Sequence, residues 1–386
     1  MTGGRAGKAR AWAELLRVSA LLSVPGDALA GAAAAGARPG RGTLHALGAS
    51  LCLYEAGMAL NDWADRTEDA VERPHRPLPS GRITPGAALA ASVALTATGL
   101  GLAARAGRPA LAVATALATT VWAYDLGLKH TPAGPATMAT ARALDFLLGA
   151  TASTPGPVGP GRSPGAGTTT ATGRVTGPSG TTTATGRVTG PSGTTTATGT
   201  VTATRTAPGA TPTALRAALP SAVLLGAHAY AVTAVSRHET QGGSTRTPLA
   251  ALGVTLAVAG AASGAASGAT PRAMAGRRPA PAATSSPSGG PAPRPRPARP
   301  SRGPHPSRHL GPLLALAYAR TPATLLLHAA LNPSAVLTER AVGGGIRATI
   351  PLQAALAARA GAPGTALALL GLVPAARALA RKVNPT

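Results

Sequence analysis

Ten long apolar stretches alternate along the chain with short charged or Pro- and Gly-rich breaks. They fall at 11–36, 43–60, 84–104, 109–126, 135–151, 214–235, 248–268, 310–331, 343–360 and 363–380. Each is about 17 to 25 residues, the length of helix that crosses a bilayer. The pattern predicts an all-α, polytopic membrane bundle. Pro25, Gly26 and Asp27 should interrupt the first stretch. A strongly charged break, 61–82, follows the second.

Composition supports this reading. Apolar residues make up 45% of the chain and charged residues 12%, about half the share of a soluble domain. Mean hydropathy, at +0.16, is low for such a protein. The stretches are built from Ala rather than Ile or Phe, and polar inserts dilute them. The net charge of +24 suggests nucleic acid, but aromatics are only 2% and no recognition fold is visible. We therefore expect no nucleic-acid partner. Basic segments beside apolar spans fit an anionic lipid bilayer and the positive-inside rule. Cys52 is the single cysteine, which leaves no intramolecular disulfide or cysteine metal site. The basic start, MTGGRAGKARAW, has no cleavage site after a short apolar core. It predicts a cytoplasmic tail leading into a retained span.

The tryptophans orient the bundle. With alternating spans, Trp12, Trp63 and Trp122 lie at one membrane face, as interfacial tryptophans do. Lys8, Arg10, Arg66, Arg73, Arg76 and Lys129 fall on the same face, which predicts that it is cytoplasmic. The same topology puts an Arg-rich segment, 270–309, on the other side, against that trend.

Candidate chemistry concentrates in Asn61–Arg82. The chain has twelve Asp and Glu residues, and five of them lie within eleven positions: Asp62, Asp65, Glu68, Asp69 and Glu72. At about 100° per residue, Asp62, Asp65 and Asp69 fall within roughly 60° of one another on a helix. Glu55 extends that face; Glu68 points elsewhere. Carboxylates so close repel unless a cation lies between them. Hard oxygen ligands at the end of an apolar helix suit Mg²⁺, which commonly arrives with a substrate phosphate. Arginines nearby are natural partners for that phosphate.

The order Asn61-Asp62-x-x-Asp65-x-x-x-Asp69, then Arg73-Pro74 and Arg76-Pro77-Leu78-Pro79-Ser80-Gly81-Arg82, resembles the first aspartate-rich motif of the UbiA family of intramembrane prenyltransferases. Within that family the chain looks most like the EboC-like branch. The resemblance implies about nine transmembrane helices around a cavity, so one of the last three stretches is expected to be partial or interfacial. It also implies Mg²⁺-dependent transfer from a prenyl diphosphate to an acceptor that the sequence does not identify, in the cell membrane, at a cytoplasmic site. By the same resemblance Asp62, Asp65 and Asp69 hold the metal, with Asn61 beside them and Arg73 and Arg76 on the diphosphate. Tyr124-Asp125-x-x-Leu128-Lys129 is similar to the family's Tyr-x-x-x-Leu-Lys segment, whose tyrosine and lysine face the diphosphate; Tyr124 and Lys129 take those places.

The family's second acidic motif, Asp-x-x-x-Asp, corresponds here to Ser236-Arg237-His238-Glu239-Thr240. Only Glu239 is acidic, so a second metal ion has fewer anionic ligands. Arg237 joins the substrate-binding candidates. Arg142 and Asp145 share a helix face inside the fifth stretch, where ionisable groups are paired or functional. His228 reads as a satisfied core histidine. G-x-S-x-G, H-E-x-x-H and P-loop motifs are absent, as is the CDP-alcohol phosphotransferase pattern. A non-catalytic protein that binds or moves a polyprenyl phosphate would use the same cation site.

These readings divide the chain into 1–151, the first half of the bundle; 152–212, an insert; 213–269, two spans; 270–309, a second insert; and 310–386, the last helices. TTTATGRVTGPSG at 168–180 recurs at 181–193, and such Thr, Gly and Pro content buries no core. Both inserts are expected to be disordered.

Overall fold

The computed structural model describes residues 2–17, 24–152, 185–190, 193–198, 210–238, 244–264 and 307–383. Seven helices precede the first insert: α1 (Thr2–Leu15), α2 (Pro25–Ala34), α3 (Arg41–Ala64), α4 (Arg66–Glu72), α5 (Pro85–Ala106), α6 (Arg108–Leu126) and α7 (Gly134–Ala152). A single 3-10 turn, Leu128–His130, links the last two. Five more follow it: α8 (Ala210–Ser236), α9 (Arg246–Ala262), α10 (Ser307–Leu331), α11 (Ala335–Arg359) and α12 (Pro363–Val383).

Every apolar stretch is helical where it is described. The first differs in detail. Pro25 opens α2 instead of kinking a longer helix, because the first helical position needs no N–H. Asp27 then lies in the first turn, at the positive end of the helix dipole. The basic start, expected to be a tail, is helical from Thr2.

Within the first insert, residues 185–190 (β1) and 193–198 (β2) form an antiparallel hairpin, with Thr185 opposite Thr198 and Gly190 opposite Gly193. β-branched threonine suits a pleated backbone even where it buries no core. Helix α8 likewise begins within this segment, at Ala210. The rest of the first insert, and the second as far as residue 306, lie outside the described residues.

The chain forms two compact units, 1–226 with 376–386, and 227–375. In the first, α3, α5, α6 and α7 share a core of small residues: Ala46, Ala49, Ala103, Ala110, Ala114 and Ala141, filled out by Leu53, Leu117 and Leu148. Glycines set the spacing. A Cβ at Gly31 of α2 would land on the carbonyl oxygen of Phe146 in α7, and one at Gly149 of α7 on the backbone of Ala28 in α2. Close backbone approach through small residues is how helices pack where lipid removes the hydrophobic drive. In the second unit, Ala231 and Val235 of α8 pack with Ala251 of α9, Leu326 and Ala329 of α10 and Ala341 and Val342 of α11. His228 is buried there, 3.0 Å from the Tyr318 hydroxyl and 3.1 Å from the Gly345 carbonyl oxygen, as a satisfied core histidine should be.

Several large apolar side chains nevertheless point outward: Val93, Leu219 and Val223 in the first unit and Leu313 and Leu316 in the second are exposed. Small residues at the helix contacts and apolar ones on the outside suit a lipid solvent. Among the described residues, three helices are long and apolar enough to cross a membrane by length and composition: Pro85–Ala106, Pro212–Ser236 and His309–Leu331. The other helices carry more charge, more alanine or fewer residues, so these criteria alone do not return the nine expected spans.

Candidate functional site

The acidic face forms at the end of α3. Asp62 lies in its last turn, and Asp65 caps both α3 and α4 with nearly helical angles (φ −87°, ψ 5°). The helical phase therefore runs almost unbroken into α4 and carries Asp69 round to the side of Asp62. Asp62 and Asp69 are buried, whereas Glu68 is exposed, as the spacing predicted.

Two further elements close on this face. Gly57 of α3 lets α6 approach: a Cβ there would sit 2.9 Å from Val121 Cγ1 and 3.9 Å from Asp125 Oδ2. That approach brings the end of α6, and Lys129 after it, to the carboxylates. The loop after α4 is folded back by Gly81, at φ +72°. It is anchored where Leu78 and Ile83 bury against Leu15, Ala59 and Ala88. Arg76 is thereby held over the acids.

Each aspartate is met by cations. Arg76 Nη1 lies 2.8 Å from Asp69 Oδ2 and 3.4 Å from Asp62 Oδ1. Arg73 reaches Asp69 Oδ1 at 3.5 Å, and Arg17 reaches Asp62 Oδ1 at 3.5 Å. Lys129 Nζ, largely buried, is 2.5 Å from Asp65 Oδ1 in an ion pair without hydrogen-bond alignment. Asn61 donates to Asp65 Oδ2 at 2.8 Å. At the outer edge Arg82 makes a bidentate pair with Glu14, at 2.7 and 3.1 Å, which ties α1 to the loop. Asp62 lies just beyond the apolar part of α3. Burial raises its pKa above the ordinary 3.8, opposed by Arg17 and Arg76 and reinforced by Asp69 and Asp65.

A second charged group lies deeper in the same unit. Arg142 Nη1 is 2.8 Å from Asp27 Oδ2, so its direct ion pair is with α2, while Asp145, its neighbour on the same helix face, stays within electrostatic reach. The Gly31 and Gly149 contact brings α2 against α7 and turns Asp27 toward Arg142. Asp27 and Asp145 are both buried. Tyr54 of α3 lies within electrostatic reach of both Arg142 and Arg17. It precedes Asp62 by eight residues, about 12 Å along the helix.

The structure thus gathers Asn61, Asp62, Asp65, Asp69, Arg73, Arg76 and Lys129 at one end of α3. Tyr124 is half-buried on the last turn of α6. Arg142 and Asp145 form the deeper group. Arg237 is exposed after α8 in the second unit, and Glu239 lies outside the described residues. Sequence reasoning missed Arg17, Asp27 and Asp125 as members of these clusters. Asp125, buried at the end of α6 with Lys129, Asp65 and Asp62 in its electrostatic surroundings, carried a signal: an acid closing an apolar stretch. Arg17 carried none, since its place depends on how α1 docks.

Among the described residues, no group of three or more His, Cys, Asp or Glu side chains converges as a metal cage. The donor set still fits Mg²⁺, which takes one or two carboxylates and completes its shell with water and substrate phosphate.

The profile of the UbiA prenyltransferase family matches residues 24–241, more than half of the chain. Digeranylgeranylglyceryl phosphate synthase of Methanopyrus kandleri is 35% identical over 123 residues, 32% of this chain and 45% of that protein. The synthase of Methanothrix thermoacetophila is 41% identical over 108 residues, 28% and 40% respectively. The match thus spans less than half the length of these relatives. A solved structure from work on digeranylgeranylglyceryl phosphate synthase in membranes superimposes with a TM-score of 0.51 at 13% identity, covering 92% of this chain and 98% of that one. That likeness shows the fold. Family profile, relatives and helical architecture converge: the chain is an integral membrane protein and belongs to the UbiA prenyltransferase family.

Proposed function

We propose that the protein transfers a prenyl group from an isoprenoid diphosphate to an acceptor within the membrane. The observation that carries this reading is the meeting of Asp62, Asp65 and Asp69 with Arg73, Arg76 and Lys129 at one end of α3. Asp62, Asp65 and Asp69 would hold Mg²⁺; by motif alone, Glu239 is the candidate ligand of a second ion and Arg237 a candidate for substrate. When bound, Mg²⁺ supplies charge neutralisation for the departing diphosphate.

The chain's own residues do the rest. Arg73, Arg76 and Lys129 bind the diphosphate oxygens and stabilise the charge that develops as the allylic C–O bond breaks. Asn61 and Tyr124 orient that end of the substrate. The small-residue helices exclude water from the carbocation. Arg142 and Asp145 offer a polar subsite deeper along α3, where the acceptor attacks and releases a proton. The active site faces the cytoplasm of the cell membrane, as the basic residues around it suggest. The names of the relatives make a glyceryl phosphate lipid the first acceptor to try.

Purified protein in lipid nanodiscs, given labelled geranylgeranyl diphosphate, Mg²⁺ and a lipid extract, should release pyrophosphate and form a product heavier by the prenyl group. Diphosphate binding without pyrophosphate release would favour a non-catalytic polyprenyl-phosphate carrier. The thin second acidic motif, Glu239 alone, is what favours that alternative.

A further inference from the structure

Five of the six oxygens of Asp62, Asp65 and Asp69 already face a cation or Asn61. The groups proposed to bind Mg²⁺ and those proposed to bind diphosphate are thus paired with each other. We propose that Arg76 is an ion-pair switch that makes the binding of Mg²⁺ and of diphosphate depend on one another. The inference rests on the functional reading above and concerns how that same site is loaded.

Arg76 bridges two buried acids, and its side chain is still 22% exposed. Removing it without replacement would leave Asp62 and Asp69 buried and uncompensated, which is costly. A divalent cation that takes its place frees a planar guanidinium, whose fork matches phosphate oxygens. Conversely, a diphosphate that draws Arg76 away exposes two carboxylates to any available Mg²⁺. Lys129 and Asp65 repeat the relation on the facing element.

Charge points the same way. Three aspartates face Arg17, Arg73, Arg76 and Lys129. Mg²⁺ alone enters a site whose carboxylates are already paired with cations, and diphosphate alone must compete with those carboxylates for the same cations. Together they nearly cancel. The loop permits the exchange: Ser80 N and Oγ hold the Arg76 carbonyl oxygen at 3.0 and 2.6 Å, so the guanidinium can swing on a fixed backbone.

The test is titration calorimetry on the full chain in nanodiscs, with MgCl₂ alone, inorganic pyrophosphate alone, and each in the presence of the other. Wild type is compared with Arg76→Gln. Association of Mg²⁺ with pyrophosphate in bulk is the same for both proteins, so their difference belongs to the site. The expected result is about a tenfold smaller coupling in Arg76→Gln, together with several-fold tighter binding of Mg²⁺ alone. Equal coupling in the two proteins overturns the switch and leaves the functional reading standing. A wild-type protein that binds neither ligand, singly or together, overturns both. A thermal melt checks that Arg76→Gln is folded; if it is not, Lys129→Gln gives the same contrast through Asp65.

Discussion

Two charged clusters lie in the first unit, and they are built from the same residue types. At the end of α3, three aspartates meet cations from the turn after α1, the end of α4 and the loop that follows it, and the segment after α6. Deeper, Asp27 of α2 and Asp145 of α7 flank Arg142, with Ser50 and Tyr54 of α3 beside them. The outer cations sit on turns and helix ends, and Arg17, Arg73 and Arg76 stay partly exposed. The inner pair is held between two helices that touch through Gly31 and Gly149. Similar charges are held differently: the outer pairs can exchange and admit a ligand, whereas the Asp27–Arg142 pair ties α2 to α7 and fixes the polar group beside it.

The largest effect should come from the outer cluster. Asp65→Ala is expected to lower prenyl transfer by about 10³-fold while leaving the thermal melt close to wild type. A comparable loss of melting temperature would mean that the outer cluster is structural too.

Asp27→Ala should do the reverse. It leaves Arg142 buried without its partner and is expected to cost about 3 kcal/mol of stability, read by denaturant unfolding in mixed micelles. Near-neutral stability would show the inner pair to be as replaceable as the outer ones.

The pH dependence of the metal-free protein should be smaller. Burial holds the folded-state pKa of Asp62 above its ordinary 3.8. Between the two values the folded state keeps a proton that the unfolded state has lost, so stability falls as pH rises through that window. Mg²⁺ competes with the same proton, and its affinity falls as pH drops through the folded-state value. Asp62→Asn should flatten this part of the stability profile, and an unchanged profile would assign it elsewhere.

Glu14→Gln should matter least. The Glu14–Arg82 pair is exposed, and its loss should cost well under about 1 kcal/mol. A larger drop in stability or activity would mean that the docking of α1 supports the outer cluster as a whole.

Much of this was written in the order of residues. The spacing of Asp62, Asp65 and Asp69 put them on one face because α3 continues into α4 almost without a break. Lys129 could be placed beside them through its segment's resemblance to the family. The apolar stretches became helices because, short of a closed barrel, only a helix satisfies its own backbone polar groups in lipid. Asp27, the direct ion-pair partner of Arg142, was missed because periodicity sees only neighbours on one helix.

Local periodicity is short-ranged, and so it could supply the helices, the acidic face and the membrane setting. Which cation meets which carboxylate depends on chain segments many residues apart. Glycines at 31, 57 and 149 and the turn at Gly81 set those distances by letting backbones approach, and a missing side chain leaves no mark in a hydrophobic pattern. For that reason Asp27, Arg17 and Asp125 came into view only once the helices were packed.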